Sequence, residues 1–308
     1  MAVQNPDVAV VGHFSIDSIR LPSRAKPFVV MGGSVAYVSL VTRRLNVSVS
    51  VMSRVGGDFP EAYLWWLRGE GVDVSNVTRA GEEQTTRFEL SYNEDLSSRT
   101  LRLQRKGTPL TVDALPCGLN AKAIHVAPIA GEIPVELVEH LKKCSDILSL
   151  DPQGMSRSFD PEGNVTCNVQ ADKNVLSLID VYKSSLQEAT VLTGQSEVPS
   201  IVKAIHDLGP ETVIVTLGAK GAVLSVQGTL YQIPTCISEK VVDPTGAGDG
   251  FMGGFLAEYV RGMDALWCAC VGSAAASVVV EAIGTTFPSE KEEIYRRASA
   301  VYEKEIKP

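Results

Sequence analysis

Residues 241–255 read VVDPTGAGDGFMGGF. Gly246, Ala247 and Gly248 are small residues just ahead of an apolar run at helical spacing, Phe251, Phe255, Leu256 and Tyr259. That spacing predicts a helix starting near Asp249. The first amides of a helix have no internal partners and lie at the positive end of its dipole, so such a turn can grip an anion. An aspartate at a helix start ordinarily caps it. Capping alone needs neither two flanking glycines nor the second aspartate, Asp243, and Thr245 within the same seven residues. A carboxylate beside such amides can accept the proton of an alcohol while the amides stabilise a phosphoryl group in transit.

The chain of 308 residues has 44% hydrophobic and 21% charged residues, which is enough for one large α/β domain with an appendage or for two modest domains. A net charge of −8 argues against a non-specific nucleic-acid binder but leaves small anionic ligands open. The N-terminus shows no basic-then-apolar leader. The longest uncharged stretch, Ala265 to Val280, is shorter than the ~20 residues of a spanning helix, so no membrane is expected. Six cysteines form no CxxC pair and no zinc spacing, as free thiols of a cytoplasmic protein would. Cys268 and Cys270 fall on different sides of an expected helix and are not expected to pair.

Working outward from the turn, DVAVVGHF reads as a buried first strand and VSVSVMSRVG as another. SVAYVSLVTRRL is expected to be a helix behind a Ser34 cap, and FPEAYLWWLRGEG a helix closed by Gly69 or Gly71. From Ala121 onward the strand-like runs AIHVAPI, ILSLDPQG, DVYKSS and TVIVTLG alternate with the helix-like runs VELVEHLKK, ADKNVLSLI and SIVKAIHDLG. This pattern predicts a mostly parallel sheet with helices on both faces and a ligand crevice at the strand carboxyl ends. Residues 84–106 differ: they form two amphipathic strands around NEDLSS, a β-hairpin that with residues 14–31 makes a small separate sheet. The turn in VTLGAKGAVLSV is either a close backbone approach to a ligand or an ordinary tight hairpin.

The segment DPTGAGDGFMGGF resembles the signature of the ribokinase-like (PfkB) carbohydrate kinases. Further motifs follow in family order: Gly12 and Asp17 in GHFSID, Gly32-Gly33 in MGGSVAY, Gly56-Gly57-Asp58 in RVGGDFP, and Thr216 to Gly221. The resemblance covers nearly the whole chain. It implies a single ribokinase-like unit, with a three-layer α/β core over 1–13, 32–83 and 108–308 and a β lid over 14–31 and 84–107. It also implies ATP as donor with Mg²⁺, and by family analogy a monovalent cation near Ala282 to Thr286. By carry-over Asp249 is the general base, and the amides of Gly246, Ala247 and Gly248 form the anion hole. Thr216, Gly218, Lys220 and Gly221 belong to the nucleotide site, while Asp17, Gly32 and Gly33 hold acceptor hydroxyls.

Two departures bear on this picture. The family's Asn-x-x-Glu motif appears as YKSSLQEAT, with Ser185 for the Asn and Glu188 retained, so Glu188 is expected to reach metal through water. Where ribokinases carry a sugar-binding Asn after the Gly-Gly pair, this chain has Tyr37. TTRFELSY, RTLRLQRKGTPLT, APIAGEIPVELV and SLDPQG resemble the archaeal branch that includes myo-inositol kinases, which makes Asp17, Arg87, Arg102 and Gln153 acceptor candidates. Solvated lid surface is the alternative for the two arginines. Other sugars and nucleosides remain alternative acceptors, and the exposed lid sheet is a place for homodimer pairing. A non-enzymatic nucleotide or sugar sensor would be expected to lack Asp249. A nicotinamide oxidoreductase is excluded because GHFSID stands where a GxGxxG turn is needed.

Overall fold

In the computed structural model, which describes residues 5–169, 172–236, 238, 240–287 and 290–303, β-branched runs assemble into a nine-stranded sheet. Its strands are β1 (Val8–Val11), β4 (Val49–Gly56), β5 (Val77–Ala80), β8 (Ala121–Val126), β9 (Ser145–Leu150), β12 (Val181–Ser185), β13 (Thr212–Thr216), β14 (Ala222–Val226) and β15 (Thr229–Ile233). Their order is β15-β14-β13-β12-β9-β8-β1-β4-β5. Pairing is parallel from β13 to β5, and β14 and β15 add an antiparallel edge. From β1 the chain builds outward to β4 and β5 on one side and later to β8, β9 and β12 on the other. The order therefore reverses at β1–β8, and the loops beyond these strand ends part to leave a crevice.

Strand β1 shows why the sheet is buried on both faces. Val8 and Val10 join one core with α1 (Ser34–Arg44), α2 (Glu61–Gly69), α7 (Ala247–Tyr259), α8 (Ala265–Val279) and α9 (Lys291–Tyr302). Ala9 and Val11 point the other way, into a core with α3 (Val135–Lys142), α4 (Lys173–Leu176), α5 (Leu186–Thr193) and α6 (Val198–His206). Successive strand residues face opposite sides, so a continuous apolar run feeds two cores at once. The segment ADKNVLSLI gives only the four-residue α4, because the chain then enters the sheet, where the Asp180 amide donates to Leu148 O at 2.9 Å. Helix α2 is followed by Glu70 as its cap, and the left-handed residue beyond it is Gly71 at φ 83°.

The smaller sheet has the order β3-β2-β6-β7, from β2 (Ser15–Arg20), β3 (Phe28–Gly32), β6 (Thr86–Tyr92) and β7 (Arg99–Arg105). Ile19, Phe88 and Leu90 on it, with Leu21 just beyond β2, pack with Ile129 and Ala130 from the crevice loop after β8. A ribbon of β10 (Arg157–Phe159) and β11 (Val165–Cys167) extends it, tied to β7 by the Leu103 amide donating to Gly163 O at 2.7 Å. The ribbon was not expected, since three-residue strands carry no readable period. The sheets meet at Glu132, a fully buried carboxylate that accepts from the amides of His13 (3.1 Å), Ile129 (2.9 Å) and Ala130 (2.7 Å). Among the described residues no helix is long and apolar enough to cross a membrane.

Candidate active site

Helix α7 begins at Ala247, two residues before the expected start, with Gly246 as its cap at φ 79°. A side chain is strained at that angle, and a Cβ there would meet the Tyr37 ring at 2.3 Å. Asp249 is thus the third helical residue, and no side chain caps α7. The expected Ser34 cap of α1 is likewise replaced by Gly33 at φ 90°, with Ser34 inside the helix and its hydroxyl unpartnered. Asp243, fully buried, shapes the turn from both sides. Its Oδ1 accepts the Thr245 amide at 2.9 Å, and its Oδ2 accepts the Gly284 amide at 3.0 Å, from within the 282–286 segment.

Asp249 is 8% exposed, and its Oδ1 has no hydrogen-bond partner. Burial pushes its carboxyl up to about 6, with Asp151 adding to the rise, while the charges of Lys183 and Arg157 pull it down. Lys183 and Asp151 form an ion pair of 2.5 Å, with side chains only 5% and 2% exposed. They come from β12 and from the end of β9, adjacent strands that bring both groups under the α7 turn. Asp249 is therefore a poorly solvated carboxylate held beside free helix amides.

A second group of unsatisfied atoms faces the first. Asp17 on β2 is 5% exposed with Oδ1 unpartnered, and burial pushes it up to about 6. The hydroxyls of Ser15, Ser34 and Tyr37 are also buried without partners. Tyr37 stacks on Phe287 at 6.4 Å, and its hydroxyl is held well above its ordinary range by burial, then by Asp243, Asp17 and Asp249. Gly32 leaves room for the Asp17 carboxylate, since a Cβ there would fall 1.9 Å from Oδ2. Gly33, Gln153 and the Gly246 to Asp249 turn line the same cleft of about 1020 Å³. Buried polar atoms without partners are uncommon, and a cluster opening on one cleft points to a polar ligand.

The small sheet roofs this cleft with Phe88, Leu90 and Leu101, and latches onto the turn through Tyr92, whose hydroxyl lies 2.8 Å from Thr245 Oγ1. Arg99 Nη1 donates to the same Tyr92 oxygen at 2.9 Å. Arg87 and Arg102 are not brought to the cleft. With Phe88 and Leu90 turned inward, Arg87 turns outward to Asp58 at 2.8 Å. Arg102 donates to Glu162 O at 2.6 Å and lines a separate groove with Arg105 and Lys106. The cleft arginines are instead Arg99 and Arg157.

At the other end, Thr216, Gly218, Ser185 and Glu188 line the cleft. Glu188 Oε2 accepts from the Ser185 amide (2.8 Å) and hydroxyl (2.7 Å) in the capping box of α5. Its other oxygen is not used by that box. Lys220 and Gly221 lie outside the cleft lining. Gly221, at φ 90°, is needed by the tight turn, where a Cβ would meet Ile233 O at 2.1 Å. Among the described residues no three His, Cys, Asp or Glu side chains are grouped to hold a metal. The reading of the sequence missed Lys183, Asp151, Arg99 and Arg157. Lys183 carried a signal, as a charge inside an otherwise strand-like run. Arg157 carried none, because its ribbon was not legible.

Comparison with known proteins places the chain in a family. Residues 5–292 match the model of the pfkB family carbohydrate kinases. A cytidine kinase of Thermococcus kodakarensis is 28% identical over 285 residues, covering 90% of this chain and 97% of the relative. An inositol 3-kinase of Arabidopsis thaliana is also 28% identical, covering 92% of this chain and 76% of the relative. Among solved structures, a pyrophosphate-dependent kinase of the ribokinase family, complexed with a pyrophosphate analogue and myo-inositol, superposes with a TM-score of 0.79. It is 23% identical, with 94% of this chain and 99% of that one covered, and what it shows is a shared fold. The chain belongs to the pfkB family of carbohydrate kinases, ribokinase-like phosphotransferases that act on an alcohol group.

Proposed function

We propose that the protein transfers the γ-phosphoryl group of ATP to a hydroxyl of a small polyol, with myo-inositol as the foremost acceptor. The observation that carries this reading is the unpartnered, buried Asp249 Oδ1 beside the α7 turn, in one cleft with the unsatisfied Asp17, Tyr37, Ser15 and Ser34 groups. Asp249 takes the hydroxyl proton as the acceptor oxygen bonds to the γ-phosphorus. The bond from phosphorus to the β-bridging oxygen breaks, and ADP leaves with the electron pair. The amides of Gly246, Ala247 and Gly248 face the charge on the transferring group. The Ala247 amide holds only a long contact to Pro244 O, at 3.4 Å, so it can be re-aimed.

Mg²⁺ fits as an ion held mainly by the donor phosphates, because it retains waters and needs few protein ligands. Glu188, through its second oxygen and water, is the residue that would hold it. When bound, the ion neutralises phosphate charge. Ser185 and Glu188 close the donor end with Thr216 and Gly218. The lid hydrogen bond between the Tyr92 and Thr245 hydroxyls covers the turn and excludes water from the transfer.

An inositol ring presents hydroxyls around its whole rim, which suits a wall of Asp17, Ser15, Ser34, Tyr37 and Gln153. A nucleoside acceptor is the second reading, favoured by the apolar roof of Phe88, Leu90 and Leu101, on which a base could lie. Nucleoside kinases among the relatives point the same way. A panel of inositols, pentoses, hexoses and nucleosides with Mg-ATP decides between them. The polyol reading expects kcat/KM for myo-inositol to exceed that for cytidine by at least about 100-fold, the discrimination an unpaired polar site gives. A nucleoside leading the panel would overturn it.

A further inference from the structure

The cleft contains a cation to which the reaction above gives no part. Lys183 projects from β12 with its side chain 5% exposed, and its ammonium donates to Asp151 Oδ2 at 2.5 Å. Its Nζ lies directly beneath the α7 turn, since a Cβ on Gly248 would come within 2.6 Å of it. It lines the cleft with Asp249, Glu188 and Gly248. An ammonium has three donors, and one carboxylate contact uses one of them. Burying such a charge is expensive, and a pair serving only to join β12 to β9 has no need to front the reaction cleft. Arg157 adds a second cation from β10, its guanidinium 5.5 Å from the Phe88 ring centroid and Nη1 donating to Ile129 O at 2.7 Å.

We propose that Lys183 is a catalytic residue: its ammonium donates to a terminal phosphate oxygen of the donor, beside the Gly246 to Gly248 amides, with Asp151 holding it in place. The inference deepens the kinase reading and rests on it. The chemistry recognised is the terminal phosphate of a phosphoanhydride, which ATP and inorganic pyrophosphate share. The ammonium keeps its protons and forms no covalent bond; it acts as a fixed charge where negative charge gathers. A compact lysine head suits this place, under a glycine, better than a planar guanidinium. Gly248 is then small for two reasons, the approach of phosphate from above and of Nζ from below.

The test compares wild type, Lys183→Met, the double variant Lys183→Met/Asp151→Asn, and Asp249→Asn, with Mg-ATP and with Mg-pyrophosphate as donors. The double variant is needed because Lys183→Met alone strands a buried carboxylate and endangers folding. Thermal unfolding confirms that each variant folds, and calorimetry measures pyrophosphate and acceptor binding separately. With whichever donor the wild type uses, the folded double variant should lose about 100- to 1,000-fold in kcat. Its pyrophosphate affinity should weaken at least about tenfold while acceptor affinity stays within about twofold. A folded double variant that turns over within about threefold of wild type overturns the assignment. An equal loss of donor and acceptor affinity does so too, because that is the mark of a structural role. If Asp249→Asn is inactive while the double variant is active, only the Lys183 inference falls. A wild type inactive with both donors across the acceptor panel removes the kinase reading itself.

Discussion

Replacing Asp249 with asparagine should make the protein more stable while disabling it, and the gain should depend on pH in a defined way. Burial raises the folded-state carboxyl from its ordinary 3.8 to about 6, even with Lys183 favouring the ionised form. Protonated Asp249 therefore contributes stability that is fully present below about pH 4 and is lost as pH rises through about 6. At about 1.4 kcal/mol per pH unit, the gap between 3.8 and 6 amounts to about 3 kcal/mol by pH 7.5. The asparagine variant is neutral throughout and escapes that loss. Urea denaturation of both proteins between pH 4.5 and 7.5 reads the effect. The stability difference should be about 1 kcal/mol at pH 4.5 and grow to about 3 kcal/mol in favour of the variant at pH 7.5. A variant no more stable than wild type at pH 7.5, or a difference flat across the range, would refute the claim that Asp249 is held charged against its surroundings.

Other perturbations have equally definite outcomes. The pH profile of kcat/KM should fall about tenfold per unit below about pH 6, as Asp249 takes up its proton, and Asp17, also pushed up to about 6, should steepen that limb. A profile flat down to pH 5 would contradict it. Tyr37→Phe removes only the unpartnered hydroxyl and should raise the acceptor KM by about three- to tenfold with the ATP KM unchanged. Tyr37→Asn is expected to alter acceptor choice but also to cost about 3–5 kcal/mol, because the ring supports Gly246, so denaturation must accompany that assay. Tyr92→Phe unlatches the small sheet from Thr245 and should increase ATP hydrolysis in the absence of acceptor, measured as ADP release. Arg87→Ala breaks a half-exposed pair with Asp58 and should cost no more than about 1 kcal/mol, with acceptor KM unchanged.

Most of the architecture was legible because it rests on local pattern. Apolar runs such as Val8–Val11 announced a doubly covered sheet, and the alternation around Phe88 and Leu90 announced a second, one-sided sheet. The anion-binding turn was readable because small residues before a helical stripe have a local cause. Its details were not: Gly246 caps α7 and Gly33 caps α1 through backbone angles that a sequence does not display. Arg87 and Arg102 illustrate a different limit. Alternation showed that β6 and β7 had two faces, but which face met the cleft depended on docking against Ile129 and Ala130, a long-range contact. Lys183 and Asp151 lie 32 residues apart in sequence and meet only because β9 and β12 are neighbours in the sheet. Arg157 reaches the site on a ribbon too short for any periodicity to mark.

The central claim is that Asp249 deprotonates an alcohol at the point where the α7 turn holds the incoming phosphoryl group. The most direct measurement is turnover of purified wild type and Asp249→Asn with Mg-ATP and the best acceptor of the panel, following the phosphorylated product by ³¹P NMR. The account predicts a phosphate ester from wild type and a loss of about 10²- to 10⁴-fold in the variant, with ATP affinity within about twofold. Turnover by Asp249→Asn equal to that of wild type would contradict it.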